Sequence, residues 1–218
     1  MMLAVQGINA FIERTQILRG VSLSLEQGQM AGLVGRNGAG KTTLLRTIMG
    51  ALKPAKGTVH IAGNDETQAP AHERARLGVG YMPEDRRLVP ELTVEENIMV
   101  PAWATNIADA SSRLQRVFEL LPEIARFADR KALALSGGQQ KLVALGRALM
   151  VGRQLILLDE PFEGIAPALA QRLVEVLHAI KGQGGLSILL SESDYTHSAG
   201  LIDRLFVIER GSVTERGS

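Results

Sequence analysis

Hydrophobic positions recur along this chain with two periods, and the switches between them mark out its elements. Over Ile17–Leu25, the residues Val21, Leu23 and Leu25 alternate with small or polar ones, which predicts a strand with one buried face. After the turn Glu26–Gln29 comes the short apolar run Met30–Val34, the composition of a strand buried on both faces. A glycine-rich loop follows, then Thr42–Met49, whose apolar residues fall at helical spacing and which Gly50 closes. Thr58–Ala62 and Leu77–Met82 read as further strands. From about Asp85 to Leu149 the period is helical, as in Val94–Met99 and in Arg113–Leu121, where Leu114, Val117, Phe118 and Leu121 share one face. Beyond it lie the strand Leu155–Leu158 and the helix Pro167–Lys181, with Leu169, Leu173, Val176, Leu177 and Ile180 on one stripe. The turn Gly182–Gly185 then leads to the strands Leu186–Leu190 and Arg204–Ile208.

Strands alternating with helices imply an α/β fold with a mostly parallel sheet covered on both faces. The expected organisation is one domain: a core from residues 1–84 and 151–218 with an N-terminal antiparallel β portion, and a helical subdomain inserted at 85–150. There is no internal repeat and no low-complexity tract.

Composition narrows the function. At 218 residues, with 45% hydrophobic and 22% charged, the chain is long enough to bury a core and too apolar to be disordered. Lys and Arg number 24 against 23 Asp and Glu, so no global field draws in nucleic acid. The absence of cysteine excludes disulfides, thiolate metal sites and cysteine nucleophiles. The first charged side chain is Glu13, so no basic leader region is evident, and Met1–Ile12 and Asn97–Ala108 fall short of the roughly 18 apolar residues a membrane span needs. The chain is not expected to span a membrane; if it works on one, it does so from the aqueous side.

Gly35-Arg36-Asn37-Gly38-Ala39-Gly40-Lys41-Thr42 fits the phosphate-loop pattern G-x-x-x-x-G-K-[ST], between a strand and a helix as the pattern requires. Its glycines let successive N–H groups turn inward toward phosphate oxygens, and the helix adds the positive end of its dipole. Lys41 brings a full charge to the β/γ-phosphates, and Thr42, with Thr43 beside it, offers a hydroxyl to Mg²⁺. Leu155–Glu160 ends a buried strand in two carboxylates, where ligands sit in open α/β sheets. Asp159 is expected to hold Mg²⁺. Glu160, pointing the other way along the strand, is expected to orient or deprotonate an attacking water. Together these read as ATP hydrolysis by a P-loop NTPase with a RecA-like core.

Leu135-Ser136-Gly137-Gly138-Gln139-Gln140 opens a helix on which Leu142, Val143, Leu145 and Leu149 can pack, with Ser136 as N-cap. The order of phosphate loop, this segment and acidic strand end resembles the ATPase subunits of ABC transporters from about Leu3 to Val213. The resemblance implies a head-to-tail dimer with a second such subunit, in which Ser136, Gly137, Gly138 and Gln139 contact ATP held by the partner. It implies that Glu84 stands where the family has a metal-sensing glutamine that also faces the permease, and that Phe11 or Ile12 stacks on adenine, Phe11 being the better stacker. Arg74–Arg87, Leu92–Ile98 and Asp159–Pro167 are most similar to importers of branched-chain amino acids and urea. That likeness implies permease subunits and an extracytoplasmic solute-binding protein as partners, with this chain peripheral on the cytoplasmic face of the membrane.

Three positions depart from the family pattern. Glu84 replaces glutamine, Ser193 stands where a switch histidine is usual, and Ala166 falls near an expected aspartate. Serine can donate to a γ-phosphate but carries no imidazolium charge, so Ser193 and Glu84 leave open a nucleotide-binding module that hydrolyses nothing. His197 lies about one helical turn past Ser193. Arg86 and Arg87 read as a solvated corner and Met99 and Trp103 as subdomain filling, while His60, His72 and His178 are too scattered to bind a metal.

Overall fold

In the computed structural model, which describes residues 1–216, the chain forms two sheets joined through shared cores. In order come β1 (Leu3–Ile12), β2 (Thr15–Leu25), β3 (Met30–Val34), α1 (Lys41–Ile48), β4 (Lys56–Ile61), β5 (Asn64–Asp65), α2 (Ala71–Arg76) and β6 (Val79–Met82). The helical stretch is α3 (Val94–Thr105), α4 (Ala110–Leu120), α5 (Pro122–Ala125), a 3-10 turn at Ala132–Ala134 and α6 (Gly137–Val151). The chain closes with β7 (Leu155–Asp159), α7 (Pro167–Gly182), β8 (Ser187–Glu192), β9 (Arg204–Glu209) and β10 (Ser212–Arg216).

The first sheet is antiparallel in the order β2-β1-β4-β5; the second runs β10-β9-β3-β8-β7-β6, parallel except where β10 pairs with β9. The long β1–β2 hairpin was legible only in its second strand, because the alternation in β1 is broken by register shifts between Val5 and Phe11. The apolar runs read as central strands do lie centrally. Along β7, Leu155 and Leu157 enter a core shared with α1 and the antiparallel sheet, while Ile156 and Leu158 enter a second core with α3, α6 and α7. Both faces are therefore covered, and all five β7 residues are buried.

Close backbone approaches fix the layers. A Cβ on Gly80 would stand 2.2 Å from the Ala148 carbonyl oxygen, so β6 and α6 touch backbone to backbone. Arg74, fully buried, places its guanidinium under the end of α1 and donates to the carbonyls of Thr47, Ile48, Glu66, Thr67 and Ala69. It thereby satisfies the acceptors a helix C-terminus leaves open. Two side chains sit otherwise than their composition suggests. Trp103 does not fill the helical region but is 55% exposed on α3, whereas Met99 packs against the core. Arg86 is not a solvated corner: it is half-buried and donates to Gln140 Oε1 at 3.1 Å, while Arg87 is exposed and paired with Asp85.

Candidate nucleotide site

The loop Gly35–Gly40 joins the carboxyl end of β3 to α1. Gly35 is required by space, since a Cβ there would lie 2.4 Å from the Ile208 carbonyl oxygen; Gly40, the α1 N-cap, is required by its φ of 114°. No side chain caps α1 and no acidic residue occupies its first turn. The amides at its start thus remain available to an anion. A cavity of about 400 Å³ opens over the loop, lined by Ile12, Ile17, Asn37, Gly38, Gly40, Lys41, Thr42, Thr43, Glu84 and Glu160.

Lys41 is 5% exposed, and its ammonium lies 2.9 Å from Glu160 Oε1. It also donates to Ser193 Oγ at 3.2 Å, to the Arg36 carbonyl at 3.3 Å and to the Gly35 carbonyl. Ser193 Oγ lies 2.7 Å from Glu160 Oε1 and 2.8 Å from Asn37 Oδ1, and the Ser193 amide donates to Glu160 Oε2 at 3.1 Å. Ser193 is thus part of a network joining the phosphate loop to Glu160.

Asp159 ends β7, opposite Ser191 of β8. Its Oδ1 accepts from Ser191 Oγ at 2.7 Å and Thr42 Oγ1 at 3.2 Å, and its Oδ2 accepts from the Tyr81 hydroxyl at 3.2 Å. Burial raises its pKa and outweighs these bonds, which favour the ionised form; the same burial, with Asp159 beside it, pushes the Tyr81 phenol upward. Glu84 is raised by desolvation first and then by Glu163, Asp159 and Glu160. Glu160 differs from the strand-based expectation. It lies one residue past β7 with φ at 47°, so a left-handed turn rather than strand alternation aims its carboxylate at Lys41.

The remaining expected residues divide. Arg36 contributes its carbonyl to Lys41, and Ala39 its backbone to the turn. Phe11 does not line the cavity; Ile12 does, since adjacent residues of a strand face opposite sides. Ser136, Gly137, Gly138 and Gln139 also lie off this cavity, at the start of α6. There the Gln139 amide donates to Ser136 Oγ at 3.3 Å and the Ser136 amide to Gln139 Oε1 at 2.9 Å, a reciprocal cap. Ala166 caps α7 with no side-chain bond. His197 stacks on Phe162 at 5.5 Å between ring centroids and takes no part in the network. Tyr81 and Ser191, which fix Asp159, were not foreseen, since nothing in their local sequence separates them from ordinary strand residues.

This assembly of an amide-lined loop, a buried lysine and two carboxylates at a strand end occurs in a chain whose residues 18–163 match a family model described as ABC transporter. The chain belongs to the ABC transporter family. It is the ATPase of such a system, in which ATP hydrolysis is coupled to transport. The high-affinity branched-chain amino acid transport ATP-binding protein BraG of Pseudomonas aeruginosa is 34% identical over 212 residues, covering 97% of this chain and 91% of its own length. The lipopolysaccharide export system ATP-binding protein LptB of Escherichia coli is 30% identical over 205 residues, 93% of this chain and 85% of its own. Among solved structures, a nucleotide-free ATP-binding cassette from an ABC transporter superposes with a TM-score of 0.86 at 30% identity, over 100% of this chain and 92% of that one. Among the described residues of this ABC ATPase, no helix is long and apolar enough to cross a membrane.

Proposed function

We propose that this ABC ATPase powers the uptake of a small polar solute, a branched-chain amino acid or a related amide such as urea. In this reading it sits on the cytoplasmic face of the membrane, pairs with a second ATPase subunit, binds permease subunits and is served indirectly by an extracytoplasmic solute-binding protein. The observation that carries the importer reading is the 34% identity to BraG over nearly the whole of both chains.

Glu84, Asp159 and Glu160 bring negative charge and oxygen donors near Thr42; burial first, and the neighbouring carboxylates after it, raise the pKa values of Glu84 and Asp159. An all-oxygen, over-acidic cluster suits Mg²⁺. Among the described residues no three His, Cys, Asp or Glu are grouped so as to hold a metal by themselves, so phosphate and water would have to supply further ligands. Thr42 and Asp159 would hold it with Glu84 at the rim, and when bound it supplies positive charge at the β/γ-phosphate oxygens. The loop amides bind the phosphates, and Lys41 exchanges Glu160 for a phosphate oxygen. Glu160, so released, orients water and takes its proton, while Ser193 keeps the carboxylate aligned. Ser136–Gln139, turned away from this chain's own cavity, contact the nucleotide of the partner subunit.

The test is transport by the ATPase reconstituted with its permeases and binding protein in proteoliposomes. ATP-dependent uptake of labelled leucine or urea is expected, with the Lys41→Ala variant as blank. Absence of uptake for amino acids and amides, with turnover stimulated by lipopolysaccharide instead, would replace the importer by an exporter.

A further inference from the structure

The α6 helix, which carries the signature residues at its first turn, also carries a buried charge that no step above uses. Lys141 is 5% exposed and faces the turn after β7. Its ammonium donates to the Glu160 carbonyl at 2.7 Å and to the Glu163 carbonyl, and among the described residues it has no carboxylate within ion-pair distance. Burial depresses its pKa, and Arg86 adds to the effect. An apolar side chain would satisfy packing there at lower desolvation cost, so the charge has consequences beyond packing.

Those two carbonyls bound the turn that aims Glu160. Glu160 stands in the left-handed region at φ 47°, a conformation a non-glycine residue holds only when its surroundings impose it. The Glu160 amide is held by the Ser191 carbonyl at 3.0 Å, and the Glu163 amide returns to the Glu160 carbonyl at 3.2 Å. The Lys141 ammonium closes the set by bridging both ends of the turn from a different element. Lys141 lies two residues beyond Gln139, less than one helical turn, so a displacement of the signature residues carries it along.

We propose that Lys141 is a positioning residue that holds Glu160 in its left-handed turn and relays the seating of the signature on the partner's nucleotide to the glutamate of its own site. This rests on the reading of Glu160 as the water-orienting group and of Ser136–Gln139 as a trans contact. The geometry requires a donor reaching two carbonyls; arginine can supply that and methionine cannot.

Steady-state ATP turnover, nucleotide affinity and melting temperature of Lys141→Met, Lys141→Gln and Lys141→Arg test the proposal. For Lys141→Met the expectation is a kcat loss on the order of tenfold to hundredfold, as for misplaced groups elsewhere, with nucleotide Kd within about twofold because no phosphate contact is lost. Lys141→Arg recovers most of the kcat and Lys141→Gln, able to reach one carbonyl, falls between. Combined with Ser136→Ala, Lys141→Met costs less than the product of the single losses, as expected for two groups acting in series. Unchanged kcat in Lys141→Met, equal losses in the Met and Arg variants, or multiplicative losses in the double variant overturn the relay. Should the Met variant not fold, the ordering of the Gln and Arg variants decides alone. Glu160→Gln on the same preparation separates the two levels: retained turnover there removes the underlying reading and the relay with it, whereas lost turnover there with normal turnover in Lys141→Met removes the relay only.

Discussion

Replacing Glu160 by glutamine should do two opposite things, and the geometry gives the size of each. Without nucleotide, Lys41 is committed to Glu160 at 2.9 Å, both side chains being nearly inaccessible, and it must leave that carboxylate to reach a phosphate. The ammonium keeps its charge, so the amide still accepts a charge-assisted bond; what is lost is the attraction between opposite charges, about 1 kcal/mol even under water-like screening. The Gly35 and Arg36 carbonyls and the Ser193 hydroxyl still hold the ammonium, so the loop keeps its shape. Nucleotide should therefore bind roughly fivefold tighter to the variant. Turnover should fall by about 10²–10⁴, the range lost with a general base. Isothermal titration with magnesium nucleotide and phosphate release on the same protein measure both. Equal or weaker affinity would show that the Lys41–Glu160 pair does not oppose binding, and turnover within tenfold of the parent would remove Glu160 from water activation.

Other consequences are as direct. Glu192 is 1% exposed, its Oε1 has no partner among the described residues, and burial lifts its pKa to about 7 despite the Ser198 hydroxyl on its other oxygen. Its folded value lies above its unfolded one, so stability falls as pH rises from about 4.5 to 7, by about 3 kcal/mol in total. Urea melts of Glu192→Gln should lose that slope, and a slope as steep as the parent's would contradict the assignment. Arg74→Ala removes a donor from five backbone carbonyls, of which Thr47 and Glu66 keep the Gly50 and Ala69 amides, and should cost about 3–5 kcal/mol, a melting-temperature drop of roughly 6–20 °C; a loss below 1 kcal/mol in urea would show that water replaces the guanidinium. Ile12→Tyr should tighten nucleotide binding by about 0.5–1.5 kcal/mol through base stacking while Phe11→Ala leaves it unchanged, and the reverse result would return the adenine to Phe11.

How legible each part was depended on how far its causes extend in space. The phosphate loop, the central strands and the cap at Ser136 follow from neighbours in sequence, since glycine spacing, apolar runs and a Ser-x-x-Gln box act locally. The stripe predicted for α7 is buried at Leu173, Val176, Leu177 and Ile180. What could not be read depends on the chain folding back on itself. Glu160 was placed on the correct strand end for an incomplete reason, because its left-handed φ has no sequence signal in a non-glycine residue. Tyr81 and Ser191 acquire their roles from a strand order visible only once β6, β7 and β8 lie side by side. Lys141 left a faint trace as a charge in a segment otherwise suited to packing, whereas Arg74 stands among other charges in α2 with nothing to set it apart, and both bond to carbonyls that folding brings to them. Phe11 and Ile12 lie on opposite faces of β1, and the register shifts upstream of them hide from composition which face meets the loop.

The sheet that sends alternate residues of β7 into different cores is a partition as well as a scaffold. Loosening α3 or α4 acts first on the core at one side, and it reaches the layer beneath the phosphate loop through α6, whose Lys141 touches the turn at Glu160. A motor divided in this way can have its outer housing refitted to many kinds of load so long as that linkage to the combustion chamber is kept.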